Sequence, residues 1–86
     1  VLQHIINGFV DSPTALCPVN AEVILVGCAD GSLFACVAKS GESSFGVPVK
    51  VATHPSAIQK IISTSDQVIC ADYDGSVFVY ALDSLM

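Results

Sequence analysis

Glu22-Val23-Ile24-Leu25-Val26-Gly27-Cys28-Ala29-Asp30-Gly31-Ser32-Leu33-Phe34-Ala35-Cys36 has a second version later in the chain, Asp66-Gln67-Val68-Ile69-Cys70-Ala71-Asp72-Tyr73-Asp74-Gly75-Ser76-Val77-Phe78-Val79-Tyr80. The two align without a gap at an offset of 44 residues. Asp30, Gly31, Ser32 and Phe34 recur as Asp74, Gly75, Ser76 and Phe78, while Leu25 and Leu33 recur as Ile69 and Val77. Each version places Asp-Gly between two apolar runs, which is a strong short-range β-hairpin signal. In a two-residue type I′ turn both central residues take positive φ, and Gly31 and Gly75 do so without a Cβ penalty.

Outward from the hairpins, further strands are expected at 1–6, 14–17, 47–53 and 57–63. That makes about eight short strands, or four per repeat. No stretch carries a helical stripe with caps. Val23-Ile24-Leu25-Val26 is apolar at consecutive positions, the mark of a strand buried on both faces. Upstream, Ser12-Pro13 is echoed by His54-Pro55. Four strands per period of 40–45 residues is the sequence signature of propeller blades. The expected fold is therefore all-β, two four-stranded antiparallel blades of an incomplete β-propeller, with blade boundaries near 1–45 and 46–86. Lys39-Ser40-Gly41-Glu42-Ser43-Ser44 reads as a polar surface loop.

Composition supports a packed piece of a larger protein. Of 86 residues, 52% are hydrophobic and 13% charged, the reverse of a disordered segment. That apolar share is high for a free-standing domain of this size, which has much surface to cover. The start at Val1 also points to a fragment. The formal charge is −5, and the basic residues are Lys39, Lys50 and Lys60, with no Arg. Such a chain lacks the basic patch that a phosphate backbone or an anionic lipid surface requires. No apolar run approaches the length of a transmembrane helix. Neither nucleic acid nor membrane is an expected partner.

Cys17, Cys28, Cys36 and Cys70 form no Cys-x-x-Cys pair. Three of them sit in apolar runs, where reduced Cys behaves as a small hydrophobe. Free thiols, no disulfide and a cytoplasmic location are expected. A tight Asp30-Gly31 hairpin would put Cys28 opposite Leu33 rather than Cys36.

Residues that could carry chemistry are few. His4, His54 and the cysteines lack the close spacing of zinc ligands. Asp72-x-Asp74-x-Ser76 alternates oxygens as calcium loops do, but no Glu follows to complete a site. No Gly-x-Ser-x-Gly context surrounds any Ser. Gly41 to Gly46 lacks the Lys and the following helix of a phosphate-binding loop. No catalytic residue, cofactor or metal is expected.

The stretch Leu33 to Phe45 resembles the docking motif of quinoprotein-like propellers, Ala-x-Asp-x-x-Thr-Gly-x-x-x-Trp after an Asp-Gly hairpin. Ala35, Ser40 and Gly41 fall on its Ala, Thr and Gly positions, Phe45 takes the Trp position, and Val37 stands where Asp is usual. Ser12-Pro13 is similar to the Ser-Ser-Pro that opens blades in that family. Ala81-Leu82-Asp83 resembles its Ala-Leu-Asp, displaced by two residues. The chain has no Trp, so Phe45 would dock without an indole N–H. The rival resemblance is to tryptophan–aspartate repeats, through His54, Asp74-Gly75 and Val77 to Tyr80. The resemblance implies blade-docking roles for Ala35, Ser40, Gly41 and Phe45. It further implies a structural or protein-interaction module, with the remaining blades of the parent chain and a protein at the propeller rim as partners. Alternatively, it implies the propeller part of an enzyme: a quinoprotein dehydrogenase, or an acyl-activating, adenylate-forming enzyme with a propeller at its C-terminus.

Overall fold

The fold is that of a computed structural model, which describes residues 5–38 and 45–85. Seven strands and one helical turn follow in order: β1 Pro13–Pro18, β2 Val23–Cys28, β3 Ser32–Val37, β4 Val49–Thr53, β5 Ile58–Ser63, β6 Gln67–Asp72, β7 Val77–Ala81 and α1 Leu82–Leu85. They form a four-stranded sheet, β1-β2-β3-β4, and a three-stranded sheet, β5-β6-β7. Every ladder is antiparallel and joins strands adjacent along the chain. The all-β reading stands, with seven strands among the described residues.

Several expected boundaries move. Of the strand expected at 1–6, residues 1–4 lie outside the described residues, and Ile5 and Ile6 are in no strand. β4 starts at Val49 rather than at residue 47, because Pro48 has no N–H to give a ladder. β4 belongs to the first sheet, so the sheets divide between Thr53 and Ile58, and a boundary at 45/46 cuts through the first sheet. After Ala81 the chain turns into α1, and the second sheet has three strands rather than four among the described residues.

The hairpin turns also differ from the expected type. Among the described residues positive φ occurs at glycines only, with φ of 90° at Gly31 and 87° at Gly75. Asp30 and Asp74 therefore stay at negative φ, which excludes a type I′ turn. Gly31 N–H donates to Cys28 O at 3.1 Å, and Gly75 N–H to Asp72 O at 3.2 Å. Each loop is a three-residue connection closed by a left-handed glycine. The reason is steric: the Asp Cβ disfavours positive φ, and one glycine per loop suffices. Asp30 Oδ1 also accepts the Ser32 N–H at 2.9 Å, which pins the loop. The longer loop shifts the register, so Gly27 rather than Cys28 opposes Leu33, and Cys36 opposes Ile24.

The two sheets have matching construction. Gly27 opposes Leu33 in the first, and Ala71 opposes Val77 in the second. Both first ladders carry an irregularity near their start, between Pro13 and Ala15 and between Ile58 and Lys60.

The principal core lies between the sheets. Cys17, Leu25, Leu33 and Ala35 from the first meet Ile58, Ile61, Val68 and Cys70 from the second, with Leu85 of α1 joining them. β5 makes the closest backbone approaches, to β1 and β2. Gly27 permits this approach, since a Cβ there would strike the Ile58 side chain. Thr14 Oγ1 links the sheets, contacting Ile58 O at 2.6 Å and Gly27 O at 3.2 Å. A second core covers the other face of the first sheet, where Val26, Cys28, Phe34 and Cys36 pack with Ile6, Phe9, Ile24 and Phe45. The Phe9 ring stands edge-on to Phe34 with centroids 5.4 Å apart. β2 and β3 are thus buried on both faces, as four consecutive apolar residues require.

Candidate functional site

The one buried polar constellation among the described residues that links several elements sits between the sheets. His54 follows β4, and its N–H donates to Gly31 O at 2.7 Å, tying it to the first hairpin loop. Its imidazole enters the interface, edge-on to Phe78 at 4.4 Å, and its Nε2 shares a 3.0 Å hydrogen bond with the Tyr80 hydroxyl. Asp72 ends β6 in the same region. Its Oδ1 accepts the N–H groups of Asp74 and Ser76, each at 3.1 Å. His54 Nδ1 and Asp72 Oδ2 are buried without a hydrogen-bond partner among the described residues.

Burial favours the neutral forms of His54 and Tyr80. Burial lowers the His54 pKa, and the Asp72 charge only partly opposes that. Burial, with a contribution from Cys70, raises the Tyr80 pKa. At neutral pH a neutral imidazole therefore meets a protonated phenol. Among the described residues no Ser, Thr or Cys side chain is hydrogen-bonded to His54, and His54 and Asp72 are both buried. Its geometry suits holding β4, β6 and β7 in register.

The thiols are equally quiet. All four cysteines are free and buried. Burial raises the pKa of Cys36, burial with the nearby Asp30 charge raises that of Cys28, and burial with Cys17 pushes Cys70 up to about 11. A thiol held protonated is a poor nucleophile and metal ligand. Among the described residues no cluster of His, Cys, Asp or Glu could hold a metal ion. Asp72 spends Oδ1 on its own turn, and His4 lies outside the described residues.

Of the expected docking group, the described residues Ala35 and Phe45 lie apart. Ala35 is buried between the sheets, whereas Phe45 bridges to Ala38 and packs with the second core on the opposite face. Ser40 and Gly41 lie outside the described residues. Asp30, Gly31, Asp74 and Gly75 occupy the two hairpin loops. An open cleft of about 400 Å³ runs beside β3 and β4, lined by Ala35, Val37, Val49, Val51 and Leu85 among others. Its walls are aliphatic and offer no converging polar groups. Sequence reasoning missed the His54–Tyr80 pair. Its one signal was a His directly after a strand in a chain with few polar residues.

No family model matches this sequence, and no curated protein does. Two solved structures share the fold. The computationally designed Ika4 protein is 20% identical with a TM-score of 0.69, over 92% of this chain and 46% of its own. The computationally designed Ika8 protein is 19% identical with a TM-score of 0.77, over 98% of this chain and 25% of its own. This chain thus spans under half of the one and a quarter of the other. The resemblance to quinoprotein-like propellers, and the rival one to tryptophan–aspartate repeats, are overturned. The likeness found is to designed proteins, and of the docking residues that suggested the first family Ala35 and Phe45 sit on opposite faces of the sheet. Among the described residues no helix is long and apolar enough to cross a membrane.

Proposed function

We propose that the chain is a non-catalytic structural or protein-interaction segment of a larger protein. In this reading its two sheets are adjacent blades of a β-propeller, with the rest of the ring and a protein at its rim as partners. The observation that carries it is the contrast between a buried polar interior and the open apolar face of the second sheet. The side-chain hydrogen bonds of His54, Asp72 and Tyr80 serve the fold, while Val77 and Val79 point aliphatic side chains outward, 62% and 58% exposed. An apolar face of this kind is an interaction surface. Four free thiols support a reducing, cytoplasmic compartment.

Native-state alkylation tests the reading. Iodoacetamide at neutral pH should modify all four cysteines slowly, and only as fast as the fold opens. A thiol that reacts as fast as free cysteine, or faster, in the folded chain would overturn the non-catalytic reading.

A further inference from the structure

The contact between the sheets is heterologous: one face type of the first sheet meets the other face type of the second. The inner face of the first sheet presents Cys17, Leu25, Leu33 and Ala35. By position in the matching ladders, their counterparts in the second sheet are Ile62, Ile69, Val77 and Val79. Those counterparts point away from the core. Ile62, Val77 and Val79 are all exposed, where Cys17, Leu33 and Ala35 are buried. Conversely, Ile61 is buried between the sheets, and its counterpart Leu16, which opposes Val26 in the first sheet, is 67% exposed. The second sheet therefore displays one half of the interface formed in the middle of the molecule, while the matching half on the first sheet lies under Ile6, Phe9 and Phe45, with Leu16 exposed beside it.

We infer that the Ile62/Ile69/Val77/Val79 face receives a second copy of this chain, head to tail, through the Leu16/Val26/Phe34 face of that copy's first sheet. The inference rests on the interaction-module reading and names the partner and its mode of docking. The occupant follows from the molecule's own precedent, since this face type is covered within the chain by a sheet face of the other type. Docking replaces the cover that Ile6 and Phe9 give to Phe34 with the incoming sheet. The receiving face is apolar apart from Lys60, which lies at its margin opposite Ala71, and the inserting face is apolar apart from Lys50, which opposes Phe34. A heterologous contact leaves one free face of each kind after every addition, so assembly proceeds past the dimer until a ring closes or a filament grows.

The test uses two single-face variants of the full chain. Val79→Lys blocks the receiving face and Leu16→Glu the inserting face. Both side chains are exposed, and circular dichroism with a urea midpoint confirms that each variant folds. In sedimentation velocity the unmodified chain should form concentration-dependent species larger than a dimer. Each variant alone should associate about tenfold more weakly or worse. Mixed together, they should form a 1:1 heterodimer and stop there, because each retains one working face. A strictly monomeric unmodified chain would overturn the proposal, as would variants that assemble like the unmodified chain. So would a Leu16→Glu variant that dimerises with itself through a self-complementary Val79 face. Failure here with inert thiols removes this mode of docking alone. A fast-reacting thiol removes the non-catalytic reading whatever the sedimentation shows.

Discussion

The two sheets of this molecule use the same strand order, the same glycine-closed hairpin loop and the same irregularity at the start of their first ladder. They differ in what lies against them. In the first, Leu25 and Leu33 meet the second sheet while Val26 and Phe34 meet Ile6, Phe9 and Phe45. In the second, Val68 and Cys70 are buried but Val77 and Val79 are open. Leu25 and Leu33 match Ile69 and Val77 in chemistry, so at these positions the difference in burial is decided by neighbours. Apolar patterning reports what a strand can bury, and the surroundings determine whether it does.

The sharpest way to break this comparison is to truncate matched residues. Leu33→Ala removes a fully buried side chain and should cost about 3 kcal/mol, within the range for buried leucines. Val77→Ala, at the matched and exposed position, should stay within about 0.5 kcal/mol. Urea unfolding at low micromolar concentration measures both, and equal costs would show that the second sheet's outer face is covered in the lone chain.

The hairpin glycines sharpen the comparison next. Gly31→Ala and Gly75→Ala both force an L side chain into positive φ, at about 1–2 kcal/mol each. At Gly31 a Cβ would also overlap the His54 carbonyl, whereas Gly75 has open space. The first substitution should therefore cost at least about 1 kcal/mol more than the second, as overpacking adds to strain.

The polar constellation adds a pH dependence. The His54 pKa is lowered in the folded chain, so below the ordinary histidine value the unfolded chain binds more protons than the folded one. Its contribution is complete above about pH 6.5 and is lost as pH falls from there towards the folded pKa. His54→Gln should flatten this part of the stability profile. Urea midpoints between neutral pH and pH 5 would show it, and an unchanged slope would place the titration elsewhere.

The smallest effect concerns the link between sheets. Thr14→Val keeps the shape and removes the hydroxyl that reaches Ile58 O, at a cost of about 1 kcal/mol. A thermal melt at fixed concentration would detect it.

The strands were legible in the sequence where apolar runs flank Asp-Gly, since 22–36 and 66–80 state both period and turn. The turn class was not, because Asp-Gly serves a two-residue and a three-residue loop alike and only the closed loop selects one. The three-stranded second sheet escaped too: the strand expected at 47–53 pairs with β3 in the first sheet, and the turn into α1 after Ala81 depends on Leu85 reaching the core. Of the candidate site, Asp30, Gly31, Asp74 and Gly75 could be read locally. The meeting of His54, Tyr80 and Asp72 could not, since it needs three elements brought together across an interface.

The meander order of the strands has a kinetic consequence. Apart from β3 and β4, which are joined across 38–48, each ladder closes through a short connection, so little loop entropy is spent before its hydrogen bonds form. Either hairpin can zip first, in either sheet, without waiting for the other. The docking of Ile58 against Gly27 is the longer-range event and should come last. The reverse path starts at the less covered end. Amide protons of β7 should exchange with solvent in a local opening that leaves the ladder of β2 and β3 closed, making the open sheet the first part of the molecule to let go.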